Sequence, residues 1–208
     1  ALAAVAGAAA APGPEQAAIE TRIRKTLEFC PDGRLAHEIL GELRAEGAAP
    51  GAGAYDAVME AFAQRGALDD ALVVFQEMAA AGVAPTDATY DALARPASRG
   101  GQFLFVERLY QAKRTDRGGE IGPSSLALLL DAYANGLPRQ AARAEAAFRS
   151  ELASAEVADG EEASASAHQR AAPPAVLRAL RRAVSPATFA DLCREYGLEG
   201  DDPEDGLL

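Results

Sequence analysis

Apolar residues recur along the chain at the three- and four-residue spacing of helices, and glycine and proline interrupt them at regular intervals. In the clearest stretch, an apolar stripe begins at Tyr55 and is interrupted at Gly66. A second stripe begins at Leu68 and ends at Gly82, with Pro85 just beyond it. No stretch shows the strict alternation of a strand. The pattern predicts antiparallel helix pairs joined by short turns, and therefore an all-α protein.

This helix pair recurs about every 35 residues. Shifted by that distance, the Tyr-Asp-Ala at residues 55–57 becomes the Tyr-Asp-Ala at residues 90–92, and Gly82 becomes Gly47. A third copy begins near Ser124. One helix pair cannot bury its own apolar face, so successive pairs must stack. We expect an α-solenoid of stacked antiparallel helix pairs, with about four to five repeats.

The second helix of the clearest copy reads ALVVFQEMAAAGVAP over residues 71–85. This motif and the repeat length resemble the pentatricopeptide repeat (PPR) family. The resemblance is strong over residues 52–86, fair over 87–122, and weaker over 17–51 and 123–157. The tetratricopeptide repeat, which is slightly shorter, is the near alternative.

Changes in composition divide the chain further. Residues 1–14 form an Ala/Gly/Pro-rich arm, and PPR-like repeats are predicted over residues 15–157. Small, acidic and proline residues indicate a linker over 158–174. Residues 175–198 predict a helix pair that either caps the stack as a degenerate repeat or forms a separate hairpin. An acidic tail occupies 199–208, and no stretch has the apolar length of a transmembrane helix.

The charge balance argues against broad affinity for nucleic acid. The chain has 31 acidic and 20 basic residues, for a formal net charge of −11, whereas binding to phosphate backbones requires clustered lysine and arginine. Two local basic patches stand out as possible partner contacts. They comprise Arg22, Arg24 and Lys25 on an early helix, and Arg178, Arg181 and Arg182 on a late one.

Few residues are available for catalysis or metal binding. The chain has two cysteines, Cys30 and Cys193, and two histidines, His37 and His168. They do not follow the spacing of a metal site, and no candidate nucleophile has a base nearby. No glycine-rich phosphate-binding motif occurs either. We therefore predict no enzymatic activity, no cofactor and no metal.

The resemblance to PPR proteins implies binding of single-stranded RNA in an organelle, with one base read per repeat. The family's base-selecting positions fall on Asp56 with Thr86, and in the next repeat on Asp91 with Gly122. Arg99 takes the place of a basic residue that reaches phosphate. The family usually has Asn, Thr or Ser where this chain has Asp56 and Asp91, and an acid there would repel RNA.

These departures favour a non-catalytic scaffold that contacts other proteins. We predict an accessory subunit of an organellar complex, such as a ribosome or a photosynthetic or respiratory assembly. Its location would be the chloroplast or the mitochondrion, either soluble or peripherally attached. The alternative is an organellar PPR protein that binds single-stranded RNA through several weak contacts.

Overall fold

A computed structural model describes residues 13–117, 121–158 and 172–198. All regular secondary structure in these ranges is helical. The chain divides into two compact units, Ala1–Gly119 and Glu120–Leu208. The predicted all-α repeat fold is confirmed.

The described part of the first unit contains three consecutive helix pairs. Each pair has a first helix and a second helix joined by a short turn. The pairs are α1 (Pro14–Phe29) with α2 (Arg34–Ala45), α3 (Ala52–Gln64) with α4 (Leu68–Ala80), and α5 (Asp87–Arg99) with α6 (Phe103–Arg117).

The first helices lie side by side, with α3 packed between α1 and α5, and each second helix packs on the first helix of its own pair. The apolar stripes predicted from the sequence supply the contacts between them. On α3, Val58, Met59 and Phe62 are buried, as is Met78 on α4. Burying these stripes requires neighbouring pairs to stack, which is why a single pair would not be stable alone.

Glycines with positive φ make the turns between helices. Gly66, between α3 and α4, has φ of 77°, and Gly82, after α4, has φ of 71°. Other residues rarely adopt this backbone conformation because their Cβ crowds the backbone. After Gly82, the N–H of Val83 donates to the carbonyl oxygen of Met78 at 3.1 Å and closes the end of α4.

The second unit contains α7 (Pro123–Asn135), α8 (Ala141–Ala158), α9 (Pro174–Ala183) and α10 (Pro186–Tyr196). In it, α7 packs against both α8 and α9, and α8 also contacts α9. The helix α9 therefore packs on α7 as α5 packs on α3 in the first unit, where α5 is the first helix of the next pair. This arrangement supports the proposal that α9 and α10 form a degenerate repeat.

Three of the predicted segments fall mostly beyond the described residues. They are the arm at 1–14, the linker at 158–174 and the acidic tail at 199–208, and their boundaries stay predictions. The helix α8 runs to the first residue of the predicted linker, and α9 begins at its last. Within the described ranges, no helix combines the length and the apolar character needed to cross a membrane.

Candidate nucleic-acid interface

A groove of about 550 Å³ lies along the first helices of the first unit. We call it the first-helix groove, and its walls come from α1, α3 and the start of α5. Residues that line it include Arg24, Leu27, Asp56, Glu60, Gln64 and Ala88. The groove is open to solvent and carries both polar and apolar side chains.

Polar and charged side chains recur at equivalent positions of the three first helices. They form three rows, and each row has one residue from each of α1, α3 and α5. The rows are Glu20, Asp56 and Asp91; then Arg24, Glu60 and Arg95; then Glu28, Gln64 and Arg99. Acids outnumber arginines in these rows. The local charge therefore has the same sign as the net charge of the chain.

The carboxylate of Asp56, on α3, contacts the start of α5. Thr86, the N-cap residue of α5, donates its hydroxyl to Oδ2 of Asp56 at 2.6 Å, and Thr89 donates its hydroxyl to Oδ1. Burial raises the pKa of Asp56 above its ordinary value of 3.8, and the two hydroxyls act in the opposite direction. The two predicted base-selecting residues of this repeat are therefore in direct contact.

The hydroxyls of Thr86 and Thr89 are also fixed by the backbone of α5. The N–H of Thr89 donates to the hydroxyl oxygen of Thr86 at 3.2 Å, and the N–H of Thr86 donates to that of Thr89 at 2.8 Å. This reciprocal cap occupies both oxygens as acceptors, so their protons point to Asp56. Thr89 was not among the residues predicted from the sequence, although its spacing of three residues from Thr86 is the signal of such a cap.

Arg99 is exposed, but its guanidinium is hydrogen-bonded within the unit. Its guanidinium donates to the carbonyl oxygens of Ala63 at 3.4 Å and Gln64 at 3.2 Å. These carbonyls lie at the end of α3, where the helix leaves acceptors without intrahelical partners and its dipole is negative. Arg99 thus joins the end of one first helix to the next.

The other two arginines in the rows also have partners within the unit. Arg24 pairs with Glu20 at 2.8 Å along α1, and Arg95 pairs with Glu60 at 3.5 Å between α5 and α3. Both pairs are partly exposed, so each contributes little to stability. They do compete with any phosphate that approaches the groove.

The second predicted base-selecting pair is split between the two units. Asp91 belongs to the first unit, where its carboxylate accepts a hydrogen bond from the Tyr110 hydroxyl at 3.3 Å. Gly122 belongs to the second unit, where it is the N-cap residue of α7. Whether Asp91 and Gly122 act together stays a prediction.

The basic patch predicted on α1 is divided between two faces of that helix. Arg22 and Lys25 are exposed beside Phe29, whose side chain is 92% exposed. Arg24 lines the first-helix groove on the opposite face. Residues two apart on a helix do not share a face, which explains the separation.

The basic patch on α9 is partly engaged by α7. Arg182 donates to Asp131 at 2.6 Å and to Asn135 at 2.9 Å. Partial burial raises the pKa of Asp131, and Arg182 acts to lower it. Arg178 and Arg181 are exposed on the same helix. The patch therefore serves in part to hold α9 on α7.

Within the described residues, no three His, Cys, Asp or Glu side chains come together in a group that could hold a metal ion. Cys30 lies at the end of α1, and Cys193 lies on α10 with its pKa raised by burial. The sequence-based expectation of no enzyme, no cofactor and no metal stays a prediction.

Comparison with known proteins assigns the repeats. A family model described as the pentacotripeptide-repeat region of PRORP matches residues 4–115, more than half of the chain. The chain belongs to this family. The resemblance to PPR proteins is thereby confirmed, and the first-helix groove lies within the matched range. No curated protein sequence matches the chain.

Two solved structures resemble the PPR chain in fold. One is the pentatricopeptide repeat protein PPR10 in complex with an 18-nt psaJ RNA element, and the other is a triple cysteine-to-serine variant of PPR10 with the same RNA element. Each is 22% identical to this chain, with a TM-score of 0.56, and the alignment covers 82% of this chain. The chain spans only 23% of the length of PPR10, so the likeness concerns the fold.

Proposed function

We propose that this PPR chain binds single-stranded RNA in the first-helix groove. The observation that carries the proposal is the contact between Asp56 and Thr86. It brings a helix residue of one repeat and the residue before the next first helix to one point of an open groove. Membership of the PPR family and the RNA bound to PPR10 add support.

The electrostatics of the groove favour contacts with bases over contacts with phosphates. All three arginines in the rows have partners within the unit, so few cations are available for the RNA backbone. Asp56 is a weaker obstacle than an isolated carboxylate would be, because two hydroxyls stabilise its charge. Bases would therefore face the groove while the phosphates stay in solvent.

A protein scaffold is the second candidate function. The observation in its favour is the excess of acids over arginines in the three rows, which suits an extended basic segment of a partner. As a scaffold, the chain would be an accessory subunit of an organellar assembly. In either candidate function, the chain would act in the chloroplast or the mitochondrion and would not be a catalyst.

Fluorescence anisotropy with the full chain separates the two candidates. Labelled single-stranded RNA, duplex RNA and an arginine-rich peptide serve as probes. The RNA proposal expects single strands to bind better than duplexes. If three arginines each neutralised a phosphate, the logarithm of the RNA binding constant would fall with the logarithm of the salt concentration with a slope of about −2. We expect a slope whose magnitude is below about 1. Binding of the peptide without binding of single-stranded RNA would favour the scaffold and overturn the proposal.

Replacing Glu60 with Gln makes the comparison sharper. Glu60→Gln removes a groove anion and releases Arg95, so RNA affinity should rise by about threefold, while peptide affinity should fall. Glu38→Gln is the matched control, because Glu38 is exposed on α2, outside the groove. An equal response of both variants would show that only the net charge matters.

A further inference from the structure

The face of α1 that points away from the first-helix groove carries two cations and an aromatic side chain. Arg22 and Lys25 are exposed on it, and Phe29, one turn beyond Lys25, is 92% exposed. Among the described residues, no acidic side chain forms an ion pair with either cation. We call this surface the α1 outer face, and a shallow depression of about 450 Å³ lies along it. Its residues are Ala18, Thr21, Arg22, Lys25, Thr26 and Phe29.

The equivalent positions of α3 and α5 are buried and carry no charge. In the alignment that defines the three rows, Arg22 corresponds to Val58 and Leu93, and both of these side chains are 0% exposed. Lys25 corresponds to Ala61, which is also buried. The face that α3 and α5 bury by packing is therefore exposed and cationic on α1.

A partner that covers the α1 outer face must bring acidic groups. A helix packed there as α1 packs on α3 would bury two cations, which is costly unless acids accompany them. Residues 1–12 cannot neutralise the cations, because this stretch has no acidic side chain. Residues 199–208 can do so, because five of these ten residues are acidic and none is basic. Two leucines follow the acids in the same segment.

The spacing within residues 199–208 also fits the α1 outer face. Phe29 follows Arg22 by seven residues, so about 10 Å separate them along the helix axis. Three residues of an extended chain span a similar distance, and Leu207 follows Glu204 by three residues. An acid can therefore reach Arg22 while a leucine covers Phe29.

We propose that the α1 outer face binds residues 199–208 of a second copy of this chain. Acids of that segment pair with Arg22 and Lys25, and its leucines contact Phe29. A reciprocal exchange between two copies forms the contact twice, as in the two-fold symmetric dimers that are common among proteins. The contact lies outside the first-helix groove, so it does not depend on the proposed function.

Sedimentation equilibrium of the full chain measures this self-association. Because exposed ion pairs and one aromatic contact make a small interface, we expect a Kd on the order of 100 µM at low salt. Arg22→Glu combined with Lys25→Glu should weaken the association by about tenfold or more. Arg34→Glu combined with Arg108→Glu is the matched control, because it makes the same charge change at exposed positions on α2 and α6. Phe29→Ala should weaken the association by about threefold.

An exchange of charge between two variants identifies the bound segment. Glu204→Lys combined with Asp205→Lys should weaken self-association as the change of Arg22 and Lys25 does, because the patch and the segment then carry like charges. A mixture of these two double variants again offers opposite charges between copies. The mixture should therefore associate about as strongly as the wild type.

Four outcomes would overturn this proposal. The first is a chain that stays monomeric at every concentration, as it would if the segment bound within its own copy. The second is equal weakening by the α1 double variant and its control, which would mean that only net charge matters. The third is a mixture of the two double variants that does not associate. The fourth is a loss of RNA binding on changing Arg22 and Lys25 with self-association unchanged, which would assign the α1 outer face to RNA.

Discussion

Two tyrosines one repeat apart are equally buried but differ in how their hydroxyls are bonded. Tyr55 is 0% exposed and Tyr90 is 1% exposed. The Tyr90 hydroxyl donates to Asp116 at 2.7 Å, whereas the Tyr55 hydroxyl has no hydrogen-bond partner among the described residues. One repeat before Asp116 the chain has Ala81, whose side chain cannot accept a hydrogen bond. Burial accordingly raises the pKa of Tyr55.

The same substitution should therefore have opposite effects at the two positions. Tyr55→Phe removes a buried hydroxyl without a partner, and we expect the free energy of unfolding to rise by about 1 kcal/mol. Tyr90→Phe removes a hydrogen bond to a carboxylate and leaves Asp116 without it, and we expect a loss of about 2 kcal/mol. The two variants should thus differ by about 3 kcal/mol.

Urea unfolding followed by far-ultraviolet circular dichroism measures this difference. The transition midpoint should move up for Tyr55→Phe and down for Tyr90→Phe, with the dependence on urea unchanged in both. Because the two variants lose the same atom from equally buried rings, each is the control for the other. Similar losses at both positions would show that Tyr55 has a partner, and would refute the reasoning.

Two further predictions concern pH and backbone conformation. Because the folded state raises the pKa of Asp56, the folded protein binds this proton more tightly than the unfolded chain does. The wild type should therefore gain stability relative to Asp56→Asn as the pH falls from the raised pKa towards 3.8. Urea unfolding of both proteins over that pH range measures this gain. A difference in the free energy of unfolding that does not change with pH would contradict the prediction. Gly66→Ala, at φ of 77°, should destabilise by about 1–2 kcal/mol, whereas Gly41→Ala inside α2 should stabilise by about 0.5–1 kcal/mol. Thermal unfolding measures both, and equal shifts would contradict the backbone argument.

The sequence predicted the helix pairs because their causes are local. Apolar spacing and the glycine turns lie within one repeat, and the recurrence of Tyr55 as Tyr90 is found by comparing one repeat with the next. Each can be recognised without knowing which helices pack together. The division of the α1 patch could also have been predicted, since Arg22 and Arg24 are two residues apart on a helix. The turns at Gly66 and Gly82 could likewise be predicted from the glycines themselves.

The bonding within the groove could not be predicted in the same way. Asp56 contacts Thr86 and Thr89 across two helices, and Arg99 reaches the carbonyl of Gln64 across a similar interval. These contacts depend on the distance between adjacent helices and on side-chain rotamers, neither of which leaves a periodic signal. A side chain for which the sequence indicates no partner can therefore be hydrogen-bonded in the folded chain.

The attachment of Arg99 to α3 has a consequence for how this protein tolerates mutation. Its acceptors are main-chain carbonyls, which every amino acid provides, so the joint between these two helices does not depend on the side chain at position 64. Gln64 itself lines the first-helix groove. Substitution can therefore change the chemistry of that position in the groove without breaking the contact that holds α3 and α5 together.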